Sequence, residues 1–116
     1  MRNFRKYRVW TNAMELVIEV YDLIKKLPQS EDYGLSNQLR RCAISIPSNI
    51  AEGSSRNSSK EFSRFIQISM GSSFELETQL RIVGVLYIDI EITSCLSKLT
   101  IIQQQLNRLN NQLKSS

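Results

Sequence analysis

Apolar residues recur along this chain at alternating spacings of three and four, the period of a helix that buries one face. Trp10, Ala13, Val17, Val20, Ile24 and Leu27 form the first such stripe, with Glu15, Glu19, Asp22 and Lys25 off it. Pro28 ends that segment, because the residue before a proline is pushed out of the α region. Gln29 to Gly34 read as a polar connection. A second stripe, Leu35, Leu39, Cys42, Ala43, Ile46 and Ile50, predicts a helix over 35–51. Pro47 lies inside it and predicts a kink. Ser45 and Ser48 are near enough to re-satisfy carbonyls freed there. Gly53 is placed as the left-handed residue after the helix end. Ser54 to Asn57 then read as a tight polar loop.

The third helix has the clearest start. Ser58-Ser59-Lys60-Glu61 is a capping box, with the Ser58 hydroxyl facing the Glu61 amide and the Glu61 carboxylate reaching back. Its stripe is Phe62, Phe65, Ser69, Ser72, Leu76, Leu80 and Val83, predicting a helix to about Leu86. Ser69, Gly71, Ser72 and Ser73 make the middle small, which lets another backbone approach closely. Poor helix formers there cost about 1 kcal/mol or more, so tertiary packing has to offset them. Tyr87 to Glu91 read as a turn, with Asp89 as the N-cap candidate. Ile92, Cys95, Leu99, Ile102, Leu106, Leu109 and Leu113 then give the most regular stripe, a heptad seam. Four segments of roughly 16, 19, 29 and 25 residues, about 24 to 43 Å long, are joined by short connections. The expectation is all-α: an antiparallel up-down-up-down four-helix bundle, one domain over 1–116 with a basic arm at 1–9. The long third and fourth helices should pair along most of their length.

Charge changes the picture more by its placement than by its total of +4. Arg2, Arg5, Lys6 and Arg8 stand in the first eight residues with no acid. Residues 9–91 hold eight bases and eleven acids, and residues 92–116 hold Lys98, Arg108 and Lys114 with no acid. Basic ends contact phosphate, or are simply solvated; the sequence leaves both open. Arg40 and Arg41 lie beside the second stripe. Arg56, Lys60 and Arg64 surround the start of the third helix, where free amides add partial positive charge. Tyr7, Trp10 and Tyr33 are able to stack on bases. Trp10 reads as core, and Tyr7, among the bases, is the better stacking candidate.

Catalytic chemistry has little to stand on. The chain has no histidine, which removes Ser-His-Asp and Cys-His pairs and every His metal site. Two cysteines are too few for a Cys-only zinc site. Glu75 and Glu77 are two apart and point to different sides of a helix. Gly71-Ser72-Ser73 is mid-helix and lacks a following Walker lysine. No cofactor, no metal and no catalytic residue is expected. No apolar run reaches 18 residues and no h-region follows the basic start, so a cytoplasmic protein with reduced thiols and no membrane contact is expected.

The run from Leu35 to Gly53 contains Arg40-Arg41-Cys42 and Asn49-Ile50-Ala51-Glu52-Gly53. Arg56, Ser58, Glu61-Phe62, Phe65, Gly71-Ser72 and Glu75 follow at fixed distances. This pattern resembles the four-helix-bundle family encoded in intervening sequences of bacterial 23S ribosomal RNA genes. Trp10, Ala13 and Leu16 fit as well, so the resemblance covers nearly the whole chain. It implies a four-helix bundle that assembles as a ring, typically a homopentamer, with no enzymatic activity. The family is similar to the accessory protein of diversity-generating retroelements, a basic pentameric barrel that binds nucleic acid and a reverse transcriptase. Asn49, Glu52, Gly53, Glu61, Phe62, Gly71, Ser72 and Glu75 are then motif positions that either pack helices or line a subunit interface. Two functions remain open: an oligomer binding RNA or DNA by phosphate contacts, or a scaffold for another protein.

Overall fold

The computed structural model describes residues 2–116. Four helices form: α1 (Arg8–Ile24), α2 (Leu35–Ser54), α3 (Ser59–Leu86) and α4 (Thr93–Lys114). Single 3-10 turns stand at Phe4–Lys6 and Gln29–Glu31. Each helix packs on its two neighbours in the cycle α1-α2-α3-α4, while the diagonal pairs do not meet. The rod measures 45 × 22 × 20 Å, so the helices lie along its length.

Cross-helix bonds fix their directions. From α2 to α3, Cys42 meets Gln79, Ser45 meets Ser72, and Ile46 meets Ser69. One series rises as the other falls, so this pair is antiparallel. Glu77 meets Gln103 and Ser63 meets Asn110, which makes α3 and α4 antiparallel along most of their length. Asn12 meets Gln105 and Glu19 meets Ser94 and Lys98, so α4 and α1 are antiparallel too. The bundle is up-down-up-down. Among the described residues, no helix is long and apolar enough to cross a membrane.

One continuous core fills the cycle. The second and fourth stripes enter it as spaced, with Leu35, Ile92 and Leu109 at its margin. On α1 the buried column is instead Val9, Ala13, Leu16, Val20 and Leu23, with Trp10, Val17 and Ile24 on the flank. The apolar arc of α1 is wide, and the position of its neighbours decides which part of the arc points inward. On α3, Phe65 is only half-buried, and Ser63, Ile66 and Ser73 are buried.

The join between α2 and α3 differs most from expectation. Gly53 is not a left-handed cap: α2 continues through it to Ser54, and no described residue has positive φ. A Cβ on Gly53 would stand 2.6 Å from the Phe65 Cβ and 2.9 Å from a Phe62 ring carbon. The glycine is required by close approach. Ser58 caps α3 by accepting from the Glu61 amide at 3.1 Å. At the start of α4 the expected Asp89 cap is replaced by Glu91, whose carboxylate accepts from the Thr93 amide. Near Pro47, the Ser69 hydroxyl of α3 donates to the Ile46 carbonyl at 2.9 Å. Asn49 donates to the Ser45 carbonyl at 2.8 Å.

Two glycines make opposite predictions. Gly53→Ala gains helix propensity but overlaps Phe65, and should lose about 1–3 kcal/mol in chemical denaturation. Gly71 has nothing within 4 Å of where a Cβ would stand. Gly71→Ala should therefore raise stability by up to about 1 kcal/mol.

Candidate functional site

The antiparallel fold gathers the basic residues that the sequence scatters. The start of α1, the end of α2, the start of α3 and the end of α4 all lie at one end of the rod. That end carries Arg2, Arg5, Lys6 and Arg8 from the arm, and Arg56, Lys60 and Arg64 from the α2–α3 join. Arg108 and Lys114 come from α4. These nine bases face two acids, Glu52 and Glu61, while the rest of the chain holds six bases and nine acids. Arg108 and Lys114 were not site candidates from sequence. Only the return of α4 beside α1 and α3 brings them there.

The arm is docked, not frayed. The Asn3 side chain caps the Phe4–Lys6 turn by accepting from the Arg5 amide at 3.2 Å. Phe4 meets Trp10 edge-on at 5.1 Å between ring centroids. The Arg2 guanidinium donates to the Arg56 carbonyl at 3.0 Å and lies over the Phe62 ring at 5.1 Å. Arg56 in turn lies over Phe65 at 4.8 Å and pairs with Glu52 at 2.8 Å. Arg5 lies over Phe4 at 4.4 Å. Guanidinium planes on aromatic faces hold these cations in place.

The nine bases therefore divide. Arg2 and Arg56 are committed to the fold, and Arg5 is partly so. Lys6, Arg8, Lys60, Arg64, Arg108 and Lys114 have no ion-pair partner among the described residues. All of these but Lys6 line surface grooves. Arg8 and Arg108 share one of about 470 Å³ with Tyr7 and Gln112. Lys60, Arg64 and Lys114 share another of about 410 Å³ with Ser63 and Leu113. A third, of about 640 Å³, lies over Arg2, Ser55, Arg56 and Asn57.

Two groups of candidates do not join this end. Arg40 and Arg41 sit in the first half of α2, about 24 Å along the axis from Arg56. The Arg40 guanidinium reaches the Asp32 carbonyl at 3.5 Å, and Arg41 is exposed. The tyrosines lie at opposite ends. Tyr7 is half-buried, edge-on to Phe62 at 5.9 Å, and borders the groove of Arg8 and Arg108. Tyr33 is 99% exposed, but at the opposite end.

Half of the motif positions fall on the α2–α3 contact. Asn49 donates to the Ser45 hydroxyl at 2.9 Å, and Ser45 shares a 2.8 Å bond with Ser72. Gly53 faces Phe62 and Phe65, and Phe62 is fully buried. Glu52 is exposed and paired to Arg56. Glu61, Gly71 and Glu75 lie on the exposed side of α3.

Both cysteines are free and buried. Burial pushes the Cys42 thiol up, against a hydrogen bond from Gln79. Burial pushes the Cys95 thiol up to about 11, and the Glu19 and Glu91 carboxylates add to it. Neither is an activated nucleophile. No group of three His, Cys, Asp or Glu among the described residues could hold a metal ion. Because the Cys95 pKa is raised on folding, its contribution is intact below the unfolded value of about 8.5 and is lost as pH rises towards 11. Urea titrations should show wild type losing more stability than Cys95→Ala over that window. Equal losses would show that Cys95 does not titrate as placed.

No curated protein matches the chain. The family model described as 23S rRNA-intervening sequence protein matches residues 5–113. That span takes in all four helices to within two residues of their end, with the α2–α3 contact and most of the basic end. The chain belongs to the 23S rRNA-intervening sequence protein family.

Proposed function

We propose that this family member is a cytoplasmic, non-enzymatic homo-oligomer, pentameric as the family resemblance implies. On this reading its basic end binds RNA or DNA through phosphate contacts. One observation carries the proposal: nine bases and two acids share one end of the bundle. At the starts of α1 and α3 the fold gains little from that placement. Arg5, Lys6 and Arg8 lead into α1, and Lys60 and Arg64 open α3, where the helix dipole favours acids. α1 has no acid in its first turn at all. Cations held where local stability disfavours them are placed to meet an anion. The grooves are open at the surface and edged by cations, which suits a phosphate backbone better than a buried small molecule. Arg2 and Arg56 hold the scaffold, while Lys6, Arg8, Lys60, Arg64, Arg108 and Lys114 make the contacts. An oligomer with its basic ends on one side multiplies the field that each chain presents.

A second reading, a scaffold for another protein, is favoured by a different observation. Tyr33, Val85, Leu86 and Ile88 are exposed at the end away from the bases. On that reading the basic end is only a solvated surface, and charge changes there leave function intact.

Fluorescence anisotropy with labelled structured RNA and single-stranded DNA separates the two. Binding should weaken steeply between about 50 and 200 mM salt. Lys60→Gln and Arg64→Gln should each weaken it and lower the salt slope by about 1. Arg41→Gln, distant from the basic end, should do less. Absence of binding at low salt, or binding indifferent to salt, would overturn the nucleic-acid reading and leave the scaffold.

A further inference from the structure

Beyond the cations at the start of α3, the surface between α3 and α4 opens into a groove of about 270 Å³. Gln67, Met70, Gly71 and Phe74 line it from α3, and Asn107 and Asn110 from α4. Gln67 also lines the groove of Lys60, Arg64 and Lys114, so the two adjoin. Two features here are not explained by the fold. Phe74 leaves its aromatic side chain 54% exposed. Gly71 sits mid-helix with open space where a Cβ would stand, which lowers helix propensity and gains no packing. The amides, in contrast, are held. The Ser63 hydroxyl donates to the Asn110 Oδ1 at 2.5 Å and accepts from the Gln67 Nε2 at 3.2 Å. Those bonds leave the Asn110 Nδ2 and the Gln67 Oε1 without a partner among the described residues, one donor and one acceptor.

We propose that this groove takes an unpaired nucleobase of a single-stranded nucleic acid whose backbone lies on Lys60, Arg64 and Lys114. The proposal rests on the phosphate reading above and names its substrate class. A nucleobase is flat, with a polar edge of donors and acceptors. Its ring stacks on Phe74 over the open backbone of Gly71, and its edge meets the amides of Gln67, Asn107 and Asn110. Charge selects nucleic acid as the occupant. A ligand that leaves this groove past Gln67 meets three cations and no acid in the next one. Arg64 and Phe74 stand about 15 Å apart along α3, so a strand of a few nucleotides spans both. A duplex is the poorer fit, because its bases stay stacked and paired between the backbones, and a recess in the protein receives only a nucleobase that is splayed out.

Fluorescence anisotropy of the full chain at low salt tests this with single-stranded RNA and DNA of one sequence. Each is compared with a strand of equal length built of abasic units, which keeps every phosphate. Wild type should bind the base-bearing strand about ten-fold more tightly than the abasic one. Phe74→Ala, and Gly71→Leu, which fills the groove, should each abolish that difference. Both should leave abasic affinity and the salt slope unchanged, because no phosphate contact is lost. Lys60→Gln should weaken both strands and keep the difference. Circular dichroism and light scattering should show each variant folded and assembled as wild type is. If wild type binds no strand at low salt, the phosphate reading fails together with this one. Equal affinity of wild type for the two strands overturns this inference alone. So does a difference that survives Phe74→Ala and Gly71→Leu, since the nucleobase then lies elsewhere. A Phe74→Ala variant with an altered assembly state would make the groove a contact between copies, and also overturns it.

Discussion

The close approach of α2 to α3 at Gly53 governs the basic end of the molecule. A methyl group there would overlap the Cβ of Phe65, so the two helix axes can come this near only over a glycine. Phe62 and Phe65 fill the space on either side of it. Phe62 becomes the floor on which Tyr7 and Arg2 rest, and Phe65 the surface under Arg56. The arm docks on side chains that are themselves placed by this contact. Further along the same interface, Ser45, Asn49, Ser69 and Ser72 bind one another and the α2 backbone beside Pro47. Small polar residues serve here because they permit the approach and pair each other's hydrogen-bonding groups.

The antiparallel arrangement then converts a sequence with basic ends into a rod with a basic pole. Residues from the first turn, the middle and the last turn of the chain meet at one end, because each helix reverses the last. The separation is imposed by topology and needs no long-range attraction. Repulsion among the cations opposes it, and the aromatic faces and the Glu52 pair offset part of that opposition.

Much of this was legible in the chain. The helices, their order and the short joins follow from spacing and from Pro28 and Ser58, because local periodicity sets which positions share a face. The motif around Asn49 to Gly53 was recognisable too, and the family match agrees with it. The conformation of Gly53 was misread, because a glycine near a helix end has the same local signature whether it takes positive φ or makes room for a neighbour. Asp89 gave way to Glu91 for a related reason: both acids stand in the turn, and only the path of the chain decides which reaches the Thr93 amide.

The sequence by itself determined that this is a helical bundle, with small residues mid-way along its third helix and an excess of base at both ends. Those are properties of residues within a few turns of one another. Which column of α1 points inward, that Tyr7 is half-buried and Tyr33 exposed, and that Arg108 and Lys114 join the arm were decided only by the tertiary structure. Each depends on residues tens of positions apart being brought to the same end of the rod, and no local pattern carries that distance.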